Sequence, residues 1–493
     1  MIMKKQSFLA VLLSLTVTFS TNFMMAEGMT RPATETAQSI SNANNVKQKS
    51  LIAKLPKKGK IVKESFNEAL GVKDLELSNG VRVLLKHTDY EPDNIWMHAT
   101  QRGGSSLYGE KDWANCDRFN AVIKASGLGG LSNMELKQVL DGKNIETGFS
   151  MDTYEDVLWG TTTVKDLETL FQLAYLQFTD VTKDENSYNT LIKAMKKELE
   201  EYEQSPDLLF FQENVFMDSI MSVMHDHNWR NKMFKSTDVA RLNYDRILEI
   251  AKERTANAAG YTFVFIGSID EVAIRPLIEQ YIASLPANKA VKSNWINVAT
   301  YPKRETICHF TKEMKDPRAS INIRWINTQI PYSFENDIKA NILSDILKFK
   351  KYRERIRVDN AGIYHEVGGN HQHYMQGDIP VTEVHTFVTL KPEFAEEAIH
   401  IIKEEMAKAC EHIDEASFEG FKQEKLKFFA NRNNDDNFYW MRTIEHYAST
   451  GEIDLGNDYV QIIQALTPED ISAFARKLLT TGNMVEIVMT PAN

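Results

Sequence analysis

Cysteine is scarce in this sequence. The 493 residues include three cysteines, Cys116, Cys308 and Cys410, which lie far apart and form no C-x-x-C pair. This usage excludes a disulfide framework, because at most one pair of these thiols could form a bond. We therefore expect three mostly buried thiols.

The chain also lacks an excess of positive charge. Its formal net charge is −11 at pH 7. Nucleic acid is bound through clustered Lys and Arg side chains that neutralise phosphates. The charge balance therefore argues against nucleic acid as a partner.

Long apolar runs are missing as well. The apolar stretch at residues 8–19 is interrupted by Ser and Thr and is too short for a convincing membrane-spanning helix. It follows Lys4 and Lys5 and precedes Ala26, which is the order of a secretory signal peptide. We expect residues 1–26 to be removed on export, leaving a periplasmic or secreted chain without a membrane span. An uncleaved anchor is the alternative.

The remaining sequence divides by composition. Residues 27–64 are polar at first and then contain Pro56 and Gly59, so we expect a disordered leader and linker. Residues 65–300 and 301–493 are long enough for two domains, and a hydrophobic content of 43% is that of an ordinary globular protein.

The two long segments share a pattern of secondary structure. A helical stretch at residues 247–252 precedes a buried strand at 263–266, and residues 471–477 precede a similar strand at 484–489. Asn79-Gly80 predicts a hairpin turn, and Ser132 with Glu135 predicts a capped helix start. Two copies of one α+β unit explain this repetition.

Four motifs in order resemble the pitrilysin/insulinase (inverzincin) metallopeptidase family. They are residues 77–83 (LSNGVRV), 198–207 (ELEEYEQSPD), 263–270 (FVFIGSID) and 357–364 (RVDNAGIY). The resemblance covers residues 70–493 and is to the non-catalytic carboxy-terminal half of long bacterial periplasmic members. It implies two insulinase-like units, each a mainly antiparallel sheet covered by helices.

The zinc motif of that family is absent. H-x-x-E-H places two His ligands one turn apart on a helix beside a general base, and a distant Glu is the third ligand. By position, Asp117 corresponds to the first His, Asn120 to the base, Ala121 to the second His and Glu198 to the third ligand. We expect no metal in this chain, because Ala121 offers no donor atom. The nearest partial matches end at His412 and His446 but lack the first His and lie too late in the chain.

The resemblance gives Arg357 and Tyr364 supporting catalytic roles. In the family an Arg and a Tyr of the second unit pair bind the substrate backbone and stabilise the oxyanion. The alternative is structural, with a charged helix end and a half-buried Tyr.

Two groups of histidines are close enough in sequence to share a metal. One contains His225 and His227, and the other contains His365, His371 and His373. Neither has a helical i, i+4 pair with a suitable acid nearby, so exposed or structural histidines are expected. The second group lies in a predicted Gly-rich loop that would bind metal only adventitiously.

The sequence thus favours a non-catalytic subunit of an exported zinc metallopeptidase. It would pair with an H-x-x-E-H chain that carries the zinc, and would act on peptides. An inactive peptide-binding or scaffold protein without a protease partner is the first alternative. An autonomous enzyme that uses another site is the second.

Overall fold

The computed structural model describes residues 51–204, 208–358, 364–432 and 436–492, with the backbone alone at 208–212, 357–358 and 364–365. The strands are β1 (Ile61–Asn67), β2 (Val72–Leu77), β3 (Arg82–His87), β4 (Asn94–Arg102), β5 (Gly127–Leu128), β6 (Ile145–Met151), β7 (Glu155–Thr163), β8 (Val181–Thr182), β9 (Thr262–Gly267), β10 (Thr306–Lys312), β11 (Ala319–Asn327), β12 (Tyr364–Gln376), β13 (Ile379–Leu390) and β14 (Asn483–Pro491). The α-helices are α1 (Trp113–Asp117), α2 (Phe119–Ala125), α3 (Asn133–Val139), α4 (Leu167–Thr179), α5 (Glu185–Glu203), α6 (Leu208–Met224), α7 (Tyr244–Thr255), α8 (Glu271–Leu277), α9 (Phe334–Ile346), α10 (Ala395–Glu411), α11 (Glu415–Ala430), α12 (Asn437–Thr450), α13 (Tyr459–Ala465) and α14 (Pro468–Thr481).

Five strands of the first large sheet follow the same order as the five strands of the second. The first sheet runs β1-β2-β3-β9-β4-β7-β6 and the second runs β10-β14-β11-β13-β12. In each, a late strand lies between two earlier ones: β9 pairs parallel with β3 and antiparallel with β4, while β14 pairs parallel with β10 and antiparallel with β11. All other pairs of the two sheets are antiparallel. The predicted α+β class and its repeat are confirmed.

Each sheet buries one face, here called the inner face, under helices that neighbour it in sequence. On the first sheet, Phe171 of α4 stacks on Phe265 of β9 with ring centroids 5.1 Å apart. On the second, Ile402 of α10 and Leu478 of α14 are fully buried in one cluster with Ile323 of β11. These contacts follow from strand alternation, which sends every second side chain to the same face.

The opposite, outer face of each sheet is covered by a helix from the other half of the chain. α12 packs Met441 and Ile444 on the outer face of the first sheet, beside Val264. α6 packs Phe216 and Ile220 on the outer face of the second. We call α12 and α6 the crossing helices, because they cross the predicted division at residue 300.

Three local expectations need correction. The predicted linker extends too far, because β1 begins at Ile61; this edge strand is exposed on both faces and has no apolar pattern to announce it. The single helix that the zinc motif implies for residues 117–121 breaks at Arg118, which has φ −100° and ψ 8°. His371 and His373 lie in β12 rather than in a loop, since Gly368 and Gly369 are strand residues and the ring of Phe387 fills the space beside Gly368.

The expectations about export and thiols have different outcomes. The predicted signal peptide and most of the leader lie outside the described residues. Within the described ranges, no helix has both the length and the apolarity needed to cross a membrane.

The three cysteines are free thiols and half-buried rather than mostly buried. Burial raises the pKa of the Cys116 thiol to about 12.

Candidate functional site

The degenerate zinc positions lie on α1 and α2, next to the edge strand β6. Asp117 ends α1 and Ala121 is a half-buried residue of α2. Asn120, at the position of the base, is held by the backbone of Met151: its Nδ2 donates to the carbonyl oxygen at 3.3 Å, and its Oδ1 accepts from the amide at 2.7 Å. The side chain at the base position therefore clamps a helix to a strand.

Asp117 pairs with a neighbouring cation. The Nε of Arg118 lies 3.0 Å from Asp117 Oδ2, and the Lys232 ammonium lies 3.8 Å from the ring centroid of Trp113, one turn earlier on α1. Burial and the charge of Asp238 raise the pKa of Asp117, while the charges of Arg118 and Lys232 oppose that rise. Zinc is held by ionised carboxylates or thiolates or by neutral His. Asp117 is paired with Arg118, and Asn120 and Ala121 supply no such ligand, so these residues do not fit a zinc ion.

Glu198 stands on α5, which packs beside α2 as the resemblance implies. Ile192, Met195 and Leu199 of α5 pack around the Trp113 cluster. Glu198 is exposed. The fold therefore keeps the helix that would present a third ligand, although the two partner ligands are absent.

Residues 359–363, between Arg357 and Tyr364, lie outside the described residues, and neither of these two side chains is described. A π-helical segment, Leu347–Val358, continues α9 and ends just after Arg357, and Tyr364 begins β12. The preceding residues are firmly held, since Tyr352 and Ile356 are buried and Arg355 Nη1 lies 2.6 Å from Glu405 Oε1. The roles assigned to Arg357 and Tyr364 remain predictions.

The described histidines make protein contacts. His225 Nδ1 lies 3.1 Å from the Thr300 carbonyl oxygen, and His227 Nδ1 lies 2.8 Å from Ser222 Oγ. His371 contacts Asn341 and Asp337 of α9 at 3.0 and 3.1 Å. Within the described ranges, no three His, Cys, Asp or Glu side chains are grouped so that they could hold a metal. Their contacts support structural roles.

A buried charged cluster that was not predicted lies on the outer face of the second sheet. Arg324 of β11 pairs with Glu383 of β13, and His385 Nδ1 lies 3.0 Å from Glu383 Oε1. Although burial disfavours the carboxylate, Arg324 and His385 lower the pKa of Glu383 to about 2. Burial and the charge of Arg324 lower the pKa of His385. Charged residues inside two strand sequences rich in Ile, Val and Thr were the available signal.

A cleft of about 500 Å³ was also not predicted. It lies between α6, the segment that follows α6 and the edge strand β10. Its lining residues are Asp218, Ser219, Ser222, Val223, His227, Lys232, Met233, Lys235, Asp238, Cys308 and Phe310. Asp226 and His227 both have positive φ, 53° and 55°, which turns the chain back after α6 and places His227 on Ser222.

Comparisons with known proteins agree with this geometry. Residues 241–425 match the family described as the peptidase M16 inactive domain. A protein of Haemophilus influenzae named "Probable zinc protease PqqL" is 22% identical over 323 residues, which are 64% of this chain and 33% of that protein.

Solved structures show the same fold. The periplasmic protease PqqL from Escherichia coli matches with a TM-score of 0.73 and 18% identity, over 93% of this chain and 49% of that one. A peptidase M16 inactive domain from Pseudomonas fluorescens matches with a TM-score of 0.64 and 15% identity, over 86% of this chain and 98% of that one. This chain therefore spans a third of the curated relative and about half of the PqqL structure.

The family recognised from four ordered motifs is thus supported by sequence relatives and by fold. The strand order, the helix-covered sheets and the inactive-domain match all agree with that resemblance. Residues 241–425 thus match the inactive domain of the M16 peptidases, and the described chain has the insulinase-like fold of its structural neighbours.

Proposed function

We propose that this chain is the non-catalytic half of an exported M16 zinc peptidase and works with a separate chain that carries H-x-x-E-H. The observation that carries the proposal is the state of the degenerate zinc positions. Asn120 is bound to Met151, Ala121 has no donor atom, and Asp117 is paired with Arg118. The inactive-domain match at residues 241–425 supports the same conclusion.

In this proposal the partner's zinc centre activates the attacking water, and this chain binds and orients the peptide. Arg357 supplies a planar fork of N–H donors, and Tyr364 supplies one hydroxyl. Preorganised donors of this kind lower the barrier when they are aimed at the oxyanion that develops on the scissile carbonyl. The described contacts of Tyr352, Arg355 and Ile356 support a fixed position for the segment that carries Arg357.

Export belongs to the same proposal. The signal-like amino terminus and the periplasmic location stated for the similar Escherichia coli protease support it. Fractionation of cells expressing the tagged full-length chain tests it, since recovery of the uncleaved chain in the cytoplasm would contradict it.

The central test starts with purification of the chain from its native source and identification of what co-elutes. We expect a chain with an H-x-x-E-H motif. The isolated subunit should hold less than stoichiometric zinc by metal analysis and cleave no peptide, and the reconstituted pair should cleave. An isolated subunit that holds stoichiometric zinc and cleaves peptides would contradict the proposal.

The roles of the two donors are tested in the reconstituted pair. Loss of one oxyanion donor typically lowers kcat by about 10²- to 10³-fold, so Arg357→Ala and Tyr364→Phe should each cause a loss of that order. Arg353→Ala is the matched control, because Arg353 lies on the same segment against the Phe349 ring, 4.7 Å from its centroid. Full activity of the double variant Arg357→Ala/Tyr364→Phe would refute the assigned roles.

A further inference from the structure

The edge strand β10 differs from its counterpart in the first sheet. β10 and β3 occupy equivalent positions, since each pairs parallel with the late strand of its sheet. The other edge of β3 is covered by β2, which pairs antiparallel with it. Within the described ranges, β10 is the last strand of its sheet and no strand pairs with its other edge. The same position is therefore covered in one sheet and open in the other.

The backbone of β10 is oriented to accept a neighbour. The carbonyl oxygen of Lys312 accepts from Ala492 N at 2.8 Å, on the side of β14. Because successive residues of a strand direct their backbone groups to opposite edges, those of Ile307, His309 and Thr311 face the open edge. Edge strands are usually protected by charge or proline, yet Ile307 is 56% exposed.

The cleft described above lies along this strand and provides a side-chain pocket. Cys308 and Phe310 line it from β10, two residues apart on the outer face, and Val223 and Met233 complete its apolar part. Spacing by two residues matches the alternation of an added strand. An extended polypeptide on β10 would therefore direct every second side chain toward this pocket.

The charges on the rim of the cleft are balanced. Lys235 Nζ lies 3.7 Å from Asp218 and Lys232 Nζ lies 3.6 Å from Asp238, so each rim ammonium group faces a carboxylate. Lys232 also lies 3.8 Å from the Trp113 ring centroid. The selectivity of the cleft therefore comes from its apolar part.

We propose that β10 binds an extended segment of another polypeptide as an added strand, with an apolar side chain of that segment in the cleft. Main-chain hydrogen bonds supply affinity in this mode, and the pocket supplies specificity. The site is separate from Arg357 and Tyr364 and needs no zinc-bearing partner, so its failure would leave the proposed peptidase role intact.

A synthetic probe tests the proposal on the full chain. The probe is the fluorescein-labelled peptide Thr-Glu-Thr-Val-Thr-Glu-Thr, which places Glu, Val and Glu on one face, and binding is followed by fluorescence anisotropy. Ile307→Pro removes a donor from the open edge and is tolerated at an edge strand. We expect it to weaken binding by about tenfold, whereas Ile307→Ala, which keeps the donor, should change binding by less than about threefold.

A second probe tests the pocket. The same peptide with Ala in place of Val should bind more weakly, because it loses the apolar side chain that the cleft takes up. A probe N-methylated at alternate residues on one edge should lose binding, and methylation on the opposite edge should not. No binding by the wild-type chain, or equal binding by folded Ile307→Pro and Ile307→Ala, with melting temperatures as the check, would overturn the proposal.

Discussion

Each of the two crossing helices covers the outer face of one sheet, but the charged residues buried beneath them differ. α12 covers an apolar surface of the first sheet in which one cation is buried, Lys86, whose ammonium lies 3.6 Å from the Trp440 ring centroid and donates to the Leu70 carbonyl oxygen at 2.6 Å. α6 covers a surface of the second sheet that includes the pair Arg324 and Glu383. Equivalent faces of a repeated unit thus bury a single cation in one case and an ion pair in the other.

This difference shows where electrostatics can control stability. Burial lowers the pKa of Lys86, whereas Glu383 has its pKa lowered by its partners despite burial. A buried carboxylate with paired cations loses much if one partner is removed, because the remaining charge has no counter-ion. The second sheet should therefore contribute strongly to the acid sensitivity of the chain.

Glu383→Gln should give the largest effect. The variant leaves the Arg324 guanidinium buried with the Asn322 side chain at 2.7 Å as its neutral partner. Breaking a buried pair in this way costs about 3–5 kcal/mol, which urea denaturation at pH 7 would measure. Glu424→Gln, on an exposed side chain of α11, is the control and should change stability by less than about 1 kcal/mol.

The pH dependence of the same pair has a definite sign. Glu383 has a folded pKa of about 2 against an ordinary value of 4.5, so its stabilisation is complete above pH 4.5. It is lost as the pH falls from 4.5 toward 2, because the unfolded chain takes up the proton first. Stability of the wild type should rise with pH across this window more steeply than that of Glu383→Gln. Parallel curves would show that this carboxylate is not the source.

Truncation of the crossing helices tests whether they serve the opposite half. Ile444→Ala in α12 and Ile220→Ala in α6 each remove a buried side chain and should cost about 2–5 kcal/mol. Hydrogen exchange should rise in β3 and β9 for the first variant and in β11 and β14 for the second.

Val272→Ala is the control for the two helix variants. Val272 is 83% exposed, so Val272→Ala should leave both stability and exchange unchanged. Exchange that rises only within the half carrying the substitution would show that the crossing contacts contribute little.

The sequence was sufficient for several buried strands, for the repeat and for the resemblance to the M16 peptidases. Buried strands such as β9 and β14 are apolar, the Asn79-Gly80 turn joins β2 to β3, and the Ser132 capping box forms as expected. Local signals predicted these features because short-range geometry decides them.

The sequence was insufficient where long-range partners decide the structure. No element was predicted for residues 437–450, and nothing in an amphipathic helix states which sheet it will cover. Asn120 was interpreted as a substituted base, although its contacts with Met151 depend on β6, a strand distant in sequence. Residues 359–363 and the side chains of Arg357 and Tyr364 lie outside the described part of the chain, so that part of the candidate site stays a prediction.

The edge strands give the last comparison, with the smallest expected effect. β6 and β12 are equivalent edge strands, and each contacts a helix of its own unit. The backbone of β6 hydrogen-bonds to Asn120 of α2, whereas His371 of β12 contacts side chains of α9. Asn120→Ala leaves the buried Met151 amide unpaired but improves helix propensity, so the net loss should be about 1 kcal/mol by urea denaturation. Lys124→Ala, on an exposed position of α2, should cost nothing measurable. Asn120→Glu keeps an acceptor for the Met151 amide but loses the donor to the Met151 carbonyl. Its stability should therefore lie between that of Asn120→Ala and that of the wild type. If Asn120→Glu were as stable as the wild type, the clamp would not explain why an amide stands at the position of the base.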